Sequence, residues 1–513
     1  MLRCSLEARG APPLIKRLLV SGFMLLATAC TTTGTDTRAA MGDAASTVVS
    51  SLADTGSPDA MFARASGSRA MLRLLLQTFP KGGDLHRHAG GTTYAEDFLA
   101  FAEDDGGCYM LATRMLAAGP CEAGSSVPLE GLALRDTNLY NQAINAISMG
   151  RHGPQFKDPS ISGHEQFFNS SPRRSFSESR NRDEVIADNL VIAAAENTLY
   201  LELMSNPDMS GPDLSALVPK ETWNETDMAG RLQRLQPYLA QALPLARNNT
   251  DTSDRRIAEL NGCAEIPQPA ACAVSLRYLI TVSRRAGIEE QFSSMALAFA
   301  LVQADPRYVG VNIAAPEDLP AALRDYSLHM RMFAFFKQLY PAVQLSLHAG
   351  ELSLGLVPPR DLRFHIREAV EIAGASRIGH GIDIAYEDGA PELLARMARD
   401  GVAVEINLTS NDVILGVKGK DHPLPLYMAA GVPVTLSSDD LGVSRADLTE
   451  EYVRAADEYG LKYSQLKQIS RNTLTYSFLA PEAKARELQR LEQAFAEYEA
   501  RLPAIFQAVP LGL

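Results

Sequence analysis

The segment 344–351, QLSLHAGE, decides the fold class of this chain. Gln344–His348 is a short apolar run that predicts a buried strand, and polar residues follow where the strand ends. Helix-patterned stretches flank it at Leu319–Leu339 and Leu362–Ala373. Because a buried strand between two helices is typical of a βα unit with right-handed crossovers, the segment predicts a parallel sheet.

The same alternation of short apolar runs and helix-patterned stretches continues from about Met71 onward. Eight such units predict an α/β protein with a closed (β/α)8 TIM barrel rather than an open doubly wound sheet. No Gly-x-Gly-x-x-Gly follows a predicted strand, which disfavours a dinucleotide-binding fold. The eight predicted strands are Gly83–His86, Leu199–Met204, Leu276–Val282, Tyr308–Ile313, Gln344–His348, Arg377–His380, Val402–Asn407 and Val432–Leu436.

Two intervals between the predicted strands are much longer than a βα unit requires. We expect the barrel domain to occupy residues 67–513, with long insertions after strand 1, at about 100–190, and after strand 2, at about 207–274. Insertions of this length on a barrel are usually lids or interaction surfaces. A helical tail from Asp447 to about Leu502 is expected to close the barrel.

Composition and charge restrict the partners of the protein. Hydrophobic residues make up 46% and charged residues 21% of the 513 residues, which is typical of a globular protein with a substantial core. The formal net charge of −13 and the lack of a long basic run argue against a nucleic-acid partner, because nucleic-acid binders present a basic patch. The sequence leaves the oligomeric state open.

Residues 1–29 predict a signal peptide that is not part of the folded domain. A basic segment precedes the apolar stretch Leu18–Ala29, which is too short for an ordinary transmembrane helix. Small residues lead into Cys30, as in a bacterial lipoprotein box whose cysteine becomes lipidated, although Ala27 stands where that pattern prefers leucine. We expect a lipidated Cys30, a flexible tether over 30–66, and a location in the periplasm or outer membrane, with the lipid as the only membrane contact. The alternative is a secretory signal cut nearby, which gives a soluble periplasmic or secreted protein.

Four further cysteines of the predicted mature chain fall into two close pairs, Cys108 with Cys121 and Cys263 with Cys272. An oxidising compartment permits disulfides, and sequence proximity favours one bridge in each pair over four unrelated thiols. None of the four has Cys-x-x-Cys spacing, so we do not assign them to a metal.

Polar residues lie at or just beyond the ends of four predicted strands. Residues two apart on a strand point to the same face, so His86 and His88 can approach one ion together. Active sites of TIM barrels lie at the C-terminal ends of the strands, where side chains from distant segments meet. Three histidines and one carboxylate suit zinc and leave a position for water. The strand-end set comprises His86, His88, His348, Glu351, His380, Asp439 and Asp440.

These segments resemble the adenosine deaminase family of the metal-dependent hydrolase superfamily. The segments 80–88 (PKGGDLHRH), 348–351 (HAGE), 379–381 (GHG) and 438–440 (SDD) occur in the order and approximate spacing of that family. The Pro-Lys-Gly-Gly opening and the long first insertion resemble its secreted, growth-factor-like branch. Cytidine-deaminase-type zinc enzymes use His-x-Glu with Pro-Cys-x-x-Cys, which is absent here.

The resemblance implies roles for the strand-end residues. Zinc would activate the water that attacks the purine C6, and His380 would orient that water. Glu351 would protonate ring N1, and Asp440 would bind N7 or would only orient its neighbouring ligand. One Zn²⁺ per chain would be held by four ligands: His86, His88, His348 and Asp439.

The implied reaction is the hydrolytic deamination of adenosine, and of 2′-deoxyadenosine, to inosine and ammonia. One alternative is another amino-purine, namely a modified adenosine, adenine or AMP, although no cluster of Arg or Lys for a phosphate is evident. The alternative from another class is a non-catalytic nucleoside-binding surface lipoprotein.

Substrate recognition departs from the family pattern at several positions. In cytosolic members an aspartate two residues after the His-x-His contacts the ribose, and Gly90 stands there in this chain. Ala315 matches a glycine whose N–H meets purine N3, and Leu441 stands where proline is common. Phe167 and Phe168, in the first insertion, would cap the purine pocket or belong to the core.

Overall fold

Eight parallel strands form the centre of the molecule in the computed structural model, which describes residues 57–150, 161–210 and 214–508. Three further strands form a small antiparallel sheet in the first insertion. In chain order the strands are β1 (Gly82–His88), β2 (Cys108–Met110), β3 (Leu116–Ala117), β4 (Ser126–Pro128), β5 (Thr198–Met204), β6 (Ser275–Ser283), β7 (Tyr308–Ala314), β8 (Gln344–Ala349), β9 (Arg377–His380), β10 (Ala403–Ile406) and β11 (Val434–Leu436).

The large sheet runs in the order β1-β5-β6-β7-β8-β9-β10-β11, with every neighbouring pair parallel. Its two ends meet at Asp439, just beyond β11. The N–H of His88 donates to the Asp439 carbonyl at 3.1 Å, and the N–H of Asp439 donates to the His86 carbonyl at 2.9 Å. These bonds bring the first strand to the end of the last and nearly close the sheet, which confirms the predicted (β/α)8 TIM barrel.

All eight predicted barrel strands are present, with small differences at their ends. Strand β1 runs two residues beyond its predicted end, so His86 and His88 lie on the same strand. Strand β10 is shorter than predicted because Val402 and Asn407 flank its ladder rather than join it. The strands are buried almost throughout, as expected of a sheet that helices cover.

Helices surround the barrel and build most of both insertions. The helices of the described residues are α1 (Pro58–Ala65), α2 (Arg69–Gln77), α3 (Ala89–Thr92), α4 (Ala95–Asp104), α5 (Leu132–Arg135), α6 (Thr137–Ala146), α7 (Gly163–Arg180), α8 (Arg182–Ala195), α9 (Met228–Arg234), α10 (Gln236–Leu260), α11 (Ile288–Ala304), α12 (Pro320–Leu339), α13 (His365–Glu368), α14 (Ala390–Asp400), α15 (Leu408–Leu415), α16 (Leu424–Ala429), α17 (Leu441–Ser444), α18 (Leu448–Tyr459), α19 (Tyr463–Thr475) and α20 (Pro481–Ala508).

The interval between β1 and β5 contains helices α3 to α8 and the small sheet, and the interval between β5 and β6 contains α9 and α10. Both predicted cysteine pairs are disulfide-bonded: Cys108 with Cys121 beside the small sheet, and Cys263 with Cys272 after α10. Each bridge therefore ties a loop within one of the insertions.

Helix α7 of the first interval docks on the barrel beside α15. Its Phe167 is buried in a cluster with Val413 and Ile414 of α15 and with Val443 of α17, and Phe168 lies against this cluster. Because α15 and α17 follow β10 and β11 directly, this contact places α7 over the C-terminal ends of the strands.

A column of buried charges fills the barrel interior below these strand ends. The Arg377 guanidinium donates to Glu202 and to Glu405, each at 2.5 Å, and lies 3.6 Å from the centroid of the Phe478 ring. Glu405 also accepts a hydrogen bond from Ser346 at 2.7 Å. Buried charges persist when they are paired and hydrogen-bonded in this way, so the column fixes the interior of the barrel.

The predicted signal peptide, Cys30 and the tether up to residue 56 lie outside the described residues. Within the described ranges, no helix combines the length and the apolar character that crossing a bilayer requires.

Candidate metal centre and pocket

Four side chains predicted to act together meet at the C-terminal end of the barrel. His86 and His88 come from β1, His348 from β8, and Asp439 from the turn after β11. One ligand atom from each of these residues lies within 4.8 Å of the other three. The Nε2 atoms of His88 and His348 are 3.2 Å apart, and Asp439 Oδ1 lies 3.4 Å from His88 Nε2 and 3.5 Å from His86 Nε2. The set could hold a metal ion.

The protonation of His86 and His348 is fixed by acceptors behind them. Nδ1 of His86 donates to Glu405 at 2.7 Å, and Nδ1 of His348 donates to the Asn312 side-chain oxygen at 2.9 Å. A neutral imidazole that donates through Nδ1 presents a lone pair at Nε2. Both rings therefore direct a lone pair at the same point, as metal-binding histidines do.

The charges of the group also suit a cation. Although burial opposes it, His86 and the other nearby imidazoles hold the pKa of Asp439 well below its usual range. Burial, together with neighbouring imidazoles, holds the pKa of His348 well below its ordinary value. Burial also lowers the pKa of His88 to about 4. An ionised carboxylate with neutral imidazoles is the state in which such a group binds metal.

Two atoms of the group, Nε2 of His86 and Oδ1 of Asp439, make no hydrogen bond within the described residues although both are buried. Leaving buried polar atoms unsatisfied costs free energy. Against burial, Asp439 and Glu405 raise the pKa of His86 to about 10, because two carboxylates face one ring. The two carboxylates favour a positive charge at this point. A divalent cation among these atoms would supply it and would also give His86 Nε2 and Asp439 Oδ1 a partner.

Backbone strain concentrates at this end of the barrel. His380, Asp439 and Ala315 are non-glycine residues with φ of 66°, 55° and 96°. Such conformations cost of order 1–3 kcal/mol each and persist only where the surroundings enforce them. All three line the same pocket, which is typical of a functional site.

Glu351 lies beside the group in a state suited to donating a proton. Its side chain is buried, and burial together with the charges of Asp439 and Glu317 raises its pKa well above the usual value. Its Oε1 atom is 3.8 Å from Nε2 of His380, which is itself 3.8 Å from Asp439 Oδ2. The carboxyl therefore faces the same space as the group of four.

Glu317 holds the loop that carries Glu351, and the sequence did not single it out for this role. It accepts the backbone N–H groups of Gly350 at 3.1 Å and Glu351 at 3.0 Å. His365 donates to it at 2.5 Å, and Arg284 lies 3.3 Å away. Burial opposes ionisation, yet Arg284 and His365 lower the pKa of Glu317 to about 2. The available signal in the sequence was the position of Glu317, two residues after Ala315 and just beyond the end of β7.

A pocket of about 350 Å³ opens above these residues. The predicted substrate contacts Phe167, Phe168, Ala315 and Asp440 all line it. Burial and the adjacent Asp439 raise the pKa of Asp440 well above its usual value, which favours the protonated form of its carboxyl. Its Oδ1 lies only 1.5 Å from where a Cβ of residue 91 would stand, so Gly91 is required for this approach.

Two arginines also line this pocket, Arg174 and Arg285. Arg174 of α7 is buried, and its Nε lies 3.5 Å from Glu178 Oε2. Arg285, which follows β6, is exposed at the rim. Sequence inspection did not bring them together because Arg174 and Arg285 are 111 positions apart in the chain.

Glu178 occupies the space that a side chain at position 90 would use. Its Oε1 lies 1.9 Å from where a Cβ of Gly90 would stand, and its side chain is 37% exposed at the pocket wall. The first insertion thus supplies a carboxylate where β1 has a glycine.

The remaining histidines lie outside the ligand group. His365 contacts Glu317 and His422 contacts Asn411, so both belong to a layer behind the site. His329 is buried in α12, and His164 lies 3.1 Å from Asp318. His152 lies outside the described residues.

Fold and site together define a TIM-barrel protein with a candidate metal centre at the C-terminal end of its strands. The adenosine deaminase family model matches residues 260–494. An adenine deaminase of a Chelativorans species is 32% identical over 239 residues, which cover 46% of this chain and 67% of that protein. The chain therefore belongs to the adenosine deaminase family.

Other relatives match over shorter segments. An adenosine deaminase of Enterococcus faecalis is 36% identical over 155 residues, which cover 30% of this chain and 42% of that protein. The matched segment thus spans less than half the length of that relative.

Solved structures share the fold at low sequence identity. Arabidopsis ADAL complexed with IMP is 18% identical with a TM-score of 0.54, and 82% of this chain covers 99% of that one. The Arabidopsis N6-mAMP deaminase is 19% identical with a TM-score of 0.52 and the same coverage. The similarity to the growth-factor-like branch and the lipoprotein form stay predictions.

Asn312→Leu tests the metal centre. Removing the acceptor for His348 Nδ1 frees that ring to rotate or to change tautomer, so we expect metal affinity to fall about 10–100-fold. Competition with a chromophoric chelator measures this change. Asn249→Leu, which removes a side-chain hydrogen bond far from the site to the Asp208 carbonyl, serves as control. Equal metal affinity in Asn312→Leu and the control would contradict the assignment.

Proposed function

We propose that the protein is a zinc-dependent hydrolase that deaminates adenosine and 2′-deoxyadenosine to inosine nucleosides and ammonia. The observation that carries this proposal is the convergence of four ligand atoms within 4.8 Å beside the buried Glu351, whose pKa burial raises, at one pocket. Relatives in the family are named adenosine deaminase and adenine deaminase, which supports an amino-purine as substrate.

His86, His88, His348 and Asp439 would hold one zinc ion, since imidazole nitrogens and a carboxylate oxygen are donors that zinc prefers. When bound, zinc supplies Lewis-acid chemistry that makes water nucleophilic at neutral pH. The remaining residues of the site supply binding and proton transfer.

Glu351 is placed to act as the acid of the reaction. A protonated carboxyl can give its proton to purine N1, which weakens the aromatic system so that C6 accepts the oxygen of water. The bond between C6 and the exocyclic nitrogen then breaks, one proton of the water completes the ammonia, and the water oxygen becomes the C6 carbonyl. The proton from Glu351 stays on N1 of the product, and the second water proton restores the acid form of Glu351. Asp440, as a protonated acid, would donate a hydrogen bond to N7, which fixes the ring against Glu351.

The pocket has features that favour a nucleoside over a free base. Its volume suits a purine, and Phe167 and Phe168 offer it an apolar wall. The Glu178 carboxylate faces the same space near Gly90, where it can accept hydrogen bonds from sugar hydroxyls. The exposed Arg285 favours AMP as the second candidate, because a guanidinium binds phosphate.

Glu351→Gln tests the acid role. An amide cannot supply the proton of N1, so we expect kcat to fall about 10²–10⁴-fold while one zinc per chain remains bound. Ammonia release and metal analysis measure the two quantities, and Glu371→Gln on the surface is the control. Near-normal turnover would refute the role. A wild-type protein that retains adenosine without consuming it would instead be the non-catalytic nucleoside-binding lipoprotein.

Glu178→Gln tests the preference for a nucleoside. Losing a charge-assisted hydrogen bond should raise the KM for adenosine about 10–100-fold, with kcat for adenine unchanged. Rates with adenosine, 2′-deoxyadenosine, adenine and AMP measure this, and Glu165→Gln on the exposed face of α7 is the control.

Gly90→Ala provides a second test of Glu178. The new methyl group would displace the Glu178 carboxylate, so it should raise the KM in the wild type but add nothing in Glu178→Ala. Additive effects would contradict a shared role. Preference for AMP that Arg285→Ala abolishes would assign the substrate to the nucleotides.

We also propose that the protein is exported and lipid-anchored through Cys30. The basic and apolar segments before Cys30 support this, and two disulfides are usual in an oxidising compartment. Cys30→Ser should move the protein from the membrane fraction to the soluble fraction in a bacterial host. Equal membrane retention of this variant would exclude the lipid anchor.

A further inference from the structure

Four histidines meet at the C-terminal end of the barrel, yet the ligand group contains only three of them. Nε2 of the fourth, His380, lies 3.8 Å from both Asp439 Oδ2 and Glu351 Oε1. This atom is buried and makes no hydrogen bond within the described part of the chain. His380 differs from the ligands His86 and His348 in the kind of group that contacts its Nδ1 atom.

Nδ1 of His380 faces a hydrogen-bond donor rather than an acceptor. The side-chain nitrogen of Asn411 lies 2.9 Å from it, and the side-chain nitrogen of Asn407 lies 3.4 Å away. His86 and His348 instead face the oxygens of Glu405 and Asn312. The partner behind His380 therefore has the opposite polarity.

The orientation of the Asn411 amide is set by His422. Nδ1 of His422 accepts the backbone N–H of Leu424 at 3.1 Å, so neutral His422 carries its proton on Nε2. That Nε2–H donates to the Asn411 side-chain oxygen at 3.1 Å. With its oxygen engaged, Asn411 can present only its NH₂ group to His380.

We infer that Asn411 and His422 are positioning residues that hold His380 as the Nε2–H tautomer, so that it donates a hydrogen bond into the site and cannot bind the metal. The chain of donors begins at a backbone N–H, which has no alternative tautomer, and each following group has one remaining orientation. Burial lowers the pKa of His422 to about 3, which keeps that ring neutral.

This inference rests on the proposed function for its catalytic consequence. An Nε2–H beside Glu351 and Asp439 can orient the attacking water and stabilise the negative charge that develops on its oxygen at C6. The reversed tautomer would present a lone pair, which repels the Asp439 carboxylate and competes for the cation. The acceptors that contact His86 and His348 thus fix those rings as ligands, whereas the donor that contacts His380 fixes it as a hydrogen-bond donor.

Asn411→Asp reverses the polarity behind His380. A carboxylate accepts from both rings, so His380 should move its proton to Nδ1 and lose the donor at Nε2. We expect kcat to fall about 10²–10³-fold with KM and bound zinc unchanged. The ¹⁵N shifts of the His380 ring, assigned with His380→Gln, should show the exchanged tautomer. Asn472→Asp, at the Val434 carbonyl away from the site, is the matched control.

His422 provides a second pair of variants that leave the carboxamide of Asn411 intact. His422→Leu removes the donor to Asn411 and lets that amide rotate, so kcat should fall about 10–100-fold. His422→Gln keeps an amide N–H donor and should restore kcat and the Nε2–H signal. Rescue by glutamine is not expected if His422 serves only to fill space.

Several outcomes would overturn the inference. These are an Nε2–H signal that persists in Asn411→Asp, a kcat within threefold of the wild type, or losses of zinc and KM that match the loss of kcat. Wild-type protein without turnover of any amino-purine would remove the proposed function, yet the ¹⁵N shifts would still establish whether Asn411 sets the tautomer of His380.

Discussion

The two hydrogen bonds between β1 and Asp439 are the constraint on which the rest of the molecule depends. They join the first strand to the end of the last, and they involve the same three residues, His86, His88 and Asp439, that supply ligand atoms. Barrel closure and assembly of the centre are therefore one event. A chain that failed to bring these ends together would have neither a complete sheet nor a complete set of ligands.

Below and behind the centre, further buried side chains orient several of its groups. Arg377 ionises Glu405, which orients His86, while Arg284 and His365 ionise Glu317, which holds the backbone that carries Glu351. Much of this layer comes from the barrel strands and their loops. The site is rigid because its supports are the same charges that fill the barrel interior.

The sequence predicted the barrel and the members of its centre because both depend on local pattern: apolar strands that end in polar residues. It did not predict the layer behind them. Glu405 and Asn312 lie inside apolar runs, where one polar residue signals burial but not its partner, since the partner depends on register between strands. The sequence did not predict that Arg174 and Glu178 would line the pocket. They do so because α7 packs against α15, and no periodicity within α7 specifies that contact.

The docking of α7 on α15 has a consequence for how such proteins diversify. The candidate metal ligands and Glu351 belong to the barrel, whereas part of the pocket wall comes from the first insertion, whose Phe167 packs with Ile414 in one apolar cluster. Substrate preference can then change when the first insertion is exchanged, while the residues at the strand ends stay the same. Grafting the insertion between relatives would transfer preference rather than reactivity, which makes it the natural unit for redesign.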